Sequence, residues 1–392
     1  MPSLYQYSEI PCFAPLRTPP PFPNATLLSL FLFIRHGARA PEQIWHFPGN
    51  SGEWHCNGLG NFTKFRNVTV NNQPYTYYDF STQKPRPEDR KLFHPTCHPG
   101  SLLDKGVQDL VELGKFYQNY AVSNIDSFSP QMNLKQLYLR SSFIPRCIES
   151  ALAFLNGFFD HIEEPINETI EFVTGQMNDD PLVIVPAASD LMLESSFRFA
   201  ETDEYKQRIK ALKEIIKKFD KYLNVSFPIH EMQALLFGDY INTLRCSKQD
   251  KTVIRDEGHT QPEEELMITP EIHKIILDDM NFFEAGFVKF DKIATLGPIL
   301  QLILQRMESY YSLESHCKFS LFSGHDATLN ALLTYFGANT TYPPPFASQV
   351  LLEFWYSTRP YLRVVYNGDV ITTLPVSQFK KDAEILVAEY IK

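Results

Sequence analysis

Residues 27–34 read Leu-Leu-Ser-Leu-Phe-Leu-Phe-Ile, an apolar run interrupted only by Ser29. A strand with one wet face would alternate apolar and polar residues, and a buried helix would need a longer run. A short run of this kind predicts a strand covered on both faces, which points to an α/β sheet flanked by helices. The run leads directly into Arg35-His36-Gly37-Ala38-Arg39-Ala40-Pro41. Charges and a glycine just after a buried strand mark its carboxyl end, the edge at which open α/β sheets bind ligands. Gly37 is expected to let the backbone turn sharply there.

Further along, helical spacing over residues 102–120 precedes a short apolar strand at 133–140 and a helix at 145–159. Residues 318–322 return to strand, with 326–336 helical behind them. Segments 349–356 and 361–372 are expected to be two antiparallel strands, and 376–391 a terminal helix. The middle of the chain changes character. Segment 201–223 is rich in Lys and Glu, with Ile209, Leu212, Ile215, Ile216 and Phe219 at helical spacing, so its lysines read as a solvated face. Segments 229–244, 262–283 and 287–311 also read as helices. The expected fold is α/β: a doubly wound, mostly parallel sheet with helices on both faces and an inserted, mainly helical cap. Residues 24–160 and 291–392 make up the α/β catalytic part in this reading, and residues 161–290 the cap.

Three predicted strand ends carry the chemistry. The first holds Arg35, His36 and Arg39, the second Arg140, and the third His325-Asp326. Guanidinium forks suit phosphate oxygens, an imidazole can attack phosphorus, and a carboxyl can protonate a leaving alcohol. Each piece has a plainer reading when taken alone. Arg-His-Gly can be a charged surface turn, Arg140 a solvated charge, and Asp326 an early helical carboxylate favoured by the dipole. Their recurrence at like ends of like strands favours phosphoryl transfer.

The Arg-His-Gly-x-Arg-x-Pro segment and the late His325-Asp326 resemble the histidine acid phosphatase family, whose fold is phosphoglycerate-mutase-like. Residues 100–106 (Gly-Ser-Leu-Leu-Asp-Lys-Gly) and 137–142 (Leu-Tyr-Leu-Arg-Ser-Ser), with Arg146 and Ser150-Ala151, resemble two further family segments. The resemblance spans about residues 30–160 and 285–392 and is faint between them. It implies a phosphate monoester substrate and a phosphohistidine formed on His36, with Asp326 as general acid. It also implies Arg35, Arg39, Arg140 and His325 as ligands of the phosphoryl group, no metal or organic cofactor, and a homodimer as one assembly. Ala38, Phe143, Pro145 and Asp109 depart from the family pattern and bear on substrate choice rather than on the core set. Ala38 suggests a phytase or inositol-polyphosphate phosphatase as an alternative. A non-catalytic glycoprotein that binds phospho-sugars or glycans is a second, against which the presence of both His36 and Asp326 counts.

The formal charge of −10 argues against nucleic acid and anionic membranes as partners. No apolar run is long enough to span a membrane. His55, Cys56, His94, Cys97 and His98 look at first like a zinc cluster, but their spacing is irregular. A Cys56–Cys97 disulfide that staples the loop after the first motif is the preferred reading; the other four cysteines stay unassigned. Trp45 and Trp54 in that loop are either a substrate-facing wall or ordinary buried aromatics. Glycosylation sequons at Asn24, Asn61, Asn67, Asn167, Asn224 and Asn339, together with an even count of six cysteines, point to a secreted or lysosomal glycoprotein. The first residues lack the features of a signal peptide, so the expectation is either a start after a cleaved leader or an incomplete start.

Overall fold

The computed structural model describes residues 11–43, 54–56, 65–75, 97–126, 128, 134–163, 166–219, 231–247, 270–311 and 317–392. The apolar run forms strand β1 (Thr26–Arg35), flanked by β6 (Phe319–Gly324) in parallel and β7 (Gln349–Tyr356) in antiparallel pairing. Strand β4 (Leu137–Ser141) pairs in parallel with β6, and β8 (Pro360–Tyr366) and β9 (Asp369–Pro375) continue beyond β7, giving the order β4-β6-β1-β7-β8-β9. The doubly wound sheet, expected to be mostly parallel, is mixed: β4, β6 and β1 are parallel, and β7 to β9 form an antiparallel meander. Short turns suffice between antiparallel strands, whereas parallel ones need a crossover. The segment expected as one strand at 361–372 is a hairpin, turned by Asn367 and Gly368 at φ 49° and 90°. Asn-Gly is a strong local signal for such a turn.

Both faces of β1 are covered, which is why its sequence does not alternate. Leu30, Leu32 and Ile34 pack against α1 (Asp104–Asn124) and α2 (Pro145–Phe158). Phe31 and Phe33 pack against α8 (Lys292–Tyr311), α9 (Asp326–Tyr335) and α10 (Val376–Tyr390). Each such side chain contributes about 1.5–3 kcal/mol on full burial.

Helices α3 (Asp190–Ala200), α4 (Asp203–Lys217), α5 (Glu231–Cys246) and α6 (Pro270–Asn281), a π-turn (Phe282–Gly286) and α7 (Phe287–Phe290) make up the helical block. Ile209, Leu212 and Ile216 of α4 join Phe237, Tyr240 and Ile241 of α5 in one cluster that also holds Ala38, Ala40, Trp54 and Phe346. The helical block therefore packs directly on the loop that follows β1. Lys206, Lys210 and Lys217 lie exposed on the outer side of α4, a solvated face. Sequence spacing did not anticipate α3 or the small sheet of β2 (Phe65–Val70), β3 (Gln73–Pro74) and β5 (Ile166–Phe172), ordered β3-β2-β5.

Cys56 and Cys97 are disulfide-bonded, so the zinc reading loses both its thiolates. A second disulfide joins Cys12 to Cys246, and Cys147 and Cys317 are buried. Trp54 is buried in the helical-block cluster; Trp45 and His94 lie outside the described residues. The sequon asparagines 24, 67, 167 and 339 are all exposed, and Asn61 and Asn224 lie outside the described residues. No described helix is long and apolar enough to cross a membrane.

Candidate active site

Parallel pairing brings the carboxyl ends of β1, β6 and β4 to one edge, and the loop after β1 is built around two glycines. Gly37 does not take a left-handed conformation. Its requirement is close approach: a Cβ there would lie 2.6 Å from the carbonyl oxygen of Gly106 in α1, and one on Gly106 would lie 2.3 Å from that of Ala38. The expected sharp turn is thus replaced by a backbone contact between loop and helix. The Gly37 N–H donates to Ser150 Oγ of α2 at 3.1 Å, and the His36 N–H to the Gly324 carbonyl of β6 at 3.0 Å. The segments around Gly106 and Ser150 therefore support the motif.

His36 is buried, and its Nδ1 lies 2.9 Å from the Gly37 carbonyl oxygen. A carbonyl only accepts, so Nδ1 carries the proton and Nε2 keeps a free lone pair. Burial, then the charges of Arg146, Arg35 and Arg39, hold the imidazole well below its usual pKa, so it stays neutral in mild acid. The His325 ring stands edge-on to it, with centroids 5.6 Å apart. Burial pushes His325 down to about 3, with Arg146 adding to the effect; its Nε2 lies 3.0 Å from Ser142 Oγ and 3.5 Å from Cys147 Sγ.

The guanidinium groups are anchored one by one. Arg35, the last residue of β1, pairs with Asp326 at 2.6 Å, donates to the Pro344 carbonyl and stacks over Phe346 at 4.4 Å. Arg39 makes a two-pronged bond to Asp239 of α5, at 2.7 and 3.1 Å. Arg146, in the first turn of α2, meets Glu42 at 2.8 Å. The buried Nε atoms of all three have no hydrogen-bond partner in the protein, which suits them to a further acceptor.

Asp326 opens α9, where it accepts from the Ala327 N–H at 3.0 Å. Burial pushes its carboxyl up, but Arg35, His325 and Arg39 outweigh that and hold it below the usual range. Glu284, in the π-turn, is held well above it by burial and by Asp326, and accepts from Asn330 Nδ2 at 2.7 Å. Among the described residues no group of three or more His, Cys, Asp and Glu side chains is arranged as metal ligands.

Five of the six residues singled out from sequence come together: Arg35, His36, Arg39, His325 and Asp326. Arg140 does not join them. It pairs in register with Phe322, which faces the α8–α9 side of the sheet, and its charge acts on Asp180 instead. Arg146 stands where Arg140 was expected. Its signal was present, since it belongs to the same family-like segment, but strand-end placement pointed to Arg140 instead. Glu42, Asp239 and Glu284 carried no recognisable signal, because their partners lie far away in sequence.

A buried neutral histidine among three guanidinium groups, at the carboxyl edge of an α/β sheet, is an arrangement suited to phosphoryl transfer. Residues 26–367 match the model of the histidine phosphatase superfamily (branch 2), and the chain belongs to that family. It is 22% identical over 407 residues to a probable acid phosphatase of Dictyostelium discoideum, covering 94% of this chain and 77% of that one. It is 24% identical over 314 residues to 2-phosphoxylose phosphatase 1 of Danio rerio, covering 71% of this chain and 59% of that one. Among solved structures it resembles Hafnia alvei phytase in complex with myo-inositol hexakis sulphate, with a TM-score of 0.56, 14% identity, and 95% and 98% of the two chains covered. At that identity the likeness is one of fold.

Proposed function

We propose that the protein is an acid phosphatase that hydrolyses phosphate monoesters through a phosphohistidine on His36. The observation that carries this reading is the His36 imidazole itself, kept neutral by burial and by three arginines, with Nδ1 engaged and Nε2 free. Nε2 attacks phosphorus while Arg35, Arg39, Arg146 and His325 hold the phosphoryl oxygens. The bond to the leaving oxygen breaks, and Asp326 gives that oxygen its proton. The Asp326 carboxylate then takes a proton from water, which attacks the phosphohistidine and releases inorganic phosphate. Arg146 takes the place of Arg140 in this set because it acts on both histidines.

In this reading the helical block 161–290 is a cap that shapes the substrate mouth, consistent with the Arg39–Asp239 bond from α5. The two disulfides and four exposed sequons support a secreted or lysosomal glycoprotein. The test is hydrolysis of p-nitrophenyl phosphate at pH 5 with rapid acid or alkali quench. His36→Ala is expected to lose nearly all turnover, together with the acid-labile, alkali-stable phosphoenzyme. Full activity in that variant would reject the assignment.

A further inference from the structure

Each arginine facing His36 is already held by a carboxylate: Arg35 by Asp326, Arg39 by Asp239 and Arg146 by Glu42. Of the three acids only Asp326 has a part in the proposed chemistry. Three guanidinium groups against three carboxylates leave these pairs with no net charge, and the two histidines are neutral. Glu284, whose neutral form burial and Asp326 favour, does not change that balance. A site built for a densely anionic ester needs a cationic surplus, since like charges left beside a ligand act against its binding. A phosphoryl group that takes the unpartnered Nε of Arg39 and Arg146 leaves Asp239 and Glu42 in place on the same guanidinium groups. Their side chains are 14% and 28% exposed, so neither is sealed from solvent.

We propose that Glu42 and Asp239 are specificity residues that favour phosphate monoesters of ammonium-bearing alcohols, accept those of neutral alcohols and turn away esters whose alcohol is itself anionic. The proposal rests on the acid phosphatase reading. Three small alkyl esters whose alcohols carry a positive, zero or negative charge test it: phosphoethanolamine, glycerol 2-phosphate and 3-phosphoglycerate.

The expected kcat/KM at pH 5 falls in that order, by at least tenfold from first to last, with the difference in KM. Glu42→Gln combined with Asp239→Asn keeps side-chain size and a hydrogen-bond acceptor while removing both charges. This double variant is expected to raise 3-phosphoglycerate relative to phosphoethanolamine by at least tenfold. A merely structural role would change all three esters by the same factor, and that result overturns the proposal. So does wild-type preference for 3-phosphoglycerate or myo-inositol hexakisphosphate while p-nitrophenyl phosphate is still cleaved. If p-nitrophenyl phosphate is not hydrolysed, the acid phosphatase reading fails separately. Calorimetric binding of the same three esters then decides the selectivity, with equal affinities overturning it.

Discussion

Arg35 and Asp326, from the end of β1 and the start of α9, face each other at 2.6 Å, and the arginine holds the acid ionised. A donor to a leaving alcohol must instead be protonated. The two requirements meet if the ester arrives as a monoanion, takes Arg35 and leaves its proton on Asp326. Phosphate esters lose that second proton at about pH 6, so kcat/KM is expected to fall above that pH. His36, held well below its usual pKa, sets no limit on the mildly acidic side. Asp326→Asn is expected to lower kcat about 100-fold or more on alkyl esters and less on p-nitrophenyl phosphate, whose leaving group needs little help. A pH profile that stays level to pH 8 would count against this.

The contact of Gly37 with Gly106 makes a second prediction. A methyl at residue 106 would sit 2.3 Å from the Ala38 carbonyl oxygen and must push the motif loop away from α1. Gly106→Ala is expected to cost about 1–3 kcal/mol in urea unfolding. It should also cut kcat by about 100-fold, since a displacement of an ångström disrupts in-line attack. Wild-type kcat in a destabilised variant would show that the loop recovers its position.

Arg140 and Arg146 give a direct comparison. Removing Arg146 takes away a charge that acts on both His36 and His325, so Arg146→Ala is expected to lower kcat/KM by about 100-fold or more. Arg140→Ala removes a neighbour of Asp180 and is expected to change kcat/KM by less than about tenfold. Steady-state kinetics on p-nitrophenyl phosphate separates the two.

That comparison also shows where sequence reasoning stops. Residues 27–34 disclosed β1 because two-sided burial removes alternation, and Arg35, His36, Arg39, His325 and Asp326 were visible because each adjoins a strand end. Arg146 sits instead in the first turn of α2, and nothing local tells which of two arginines six residues apart faces inward. The small sheet was hidden because β2 and β5 are partly exposed and meet only across a separation of about 100 residues. Asp239 and Glu42 became meaningful only once folding had set them against Arg39 and Arg146.

Cys12–Cys246 is expected to matter to the site as well as to the fold. Cys246 ends α5, the helix that carries Asp239, and the Cys12 carbonyl accepts from the N–H of Phe346, whose ring underlies Arg35. Cys12→Ser with Cys246→Ser should therefore lose about 2–5 kcal/mol of stability. It should also lower kcat/KM at temperatures where circular dichroism still shows a folded chain. Unchanged kinetics below the melting transition would limit the bond to a purely stabilising role.

Glu149, three residues beyond Arg146 on α2, is pushed by burial from the ordinary 4.5 up to about 8. Between those values the folded chain binds a proton that the unfolded chain has lost. This contribution to stability is complete below pH 4.5 and disappears as pH rises towards 8. Buried His325 behaves oppositely: its pKa drops from 6.5 to about 3, so its contribution is complete above pH 6.5 and lost as pH falls towards 3. Over the interval between 4.5 and 6.5 the two slopes oppose each other, and wild-type stability alone will hide both. Glu149→Gln removes only the first. The variant should gain on the wild type as pH rises from 4.5 to 8, by no more than about 1.4 kcal/mol per pH unit, the limit for one proton. Urea unfolding of both proteins at pH 4, 6 and 8 reads this difference directly. A constant difference across the three would mean that Glu149 ionises at its ordinary pKa and is reached by water in the folded protein.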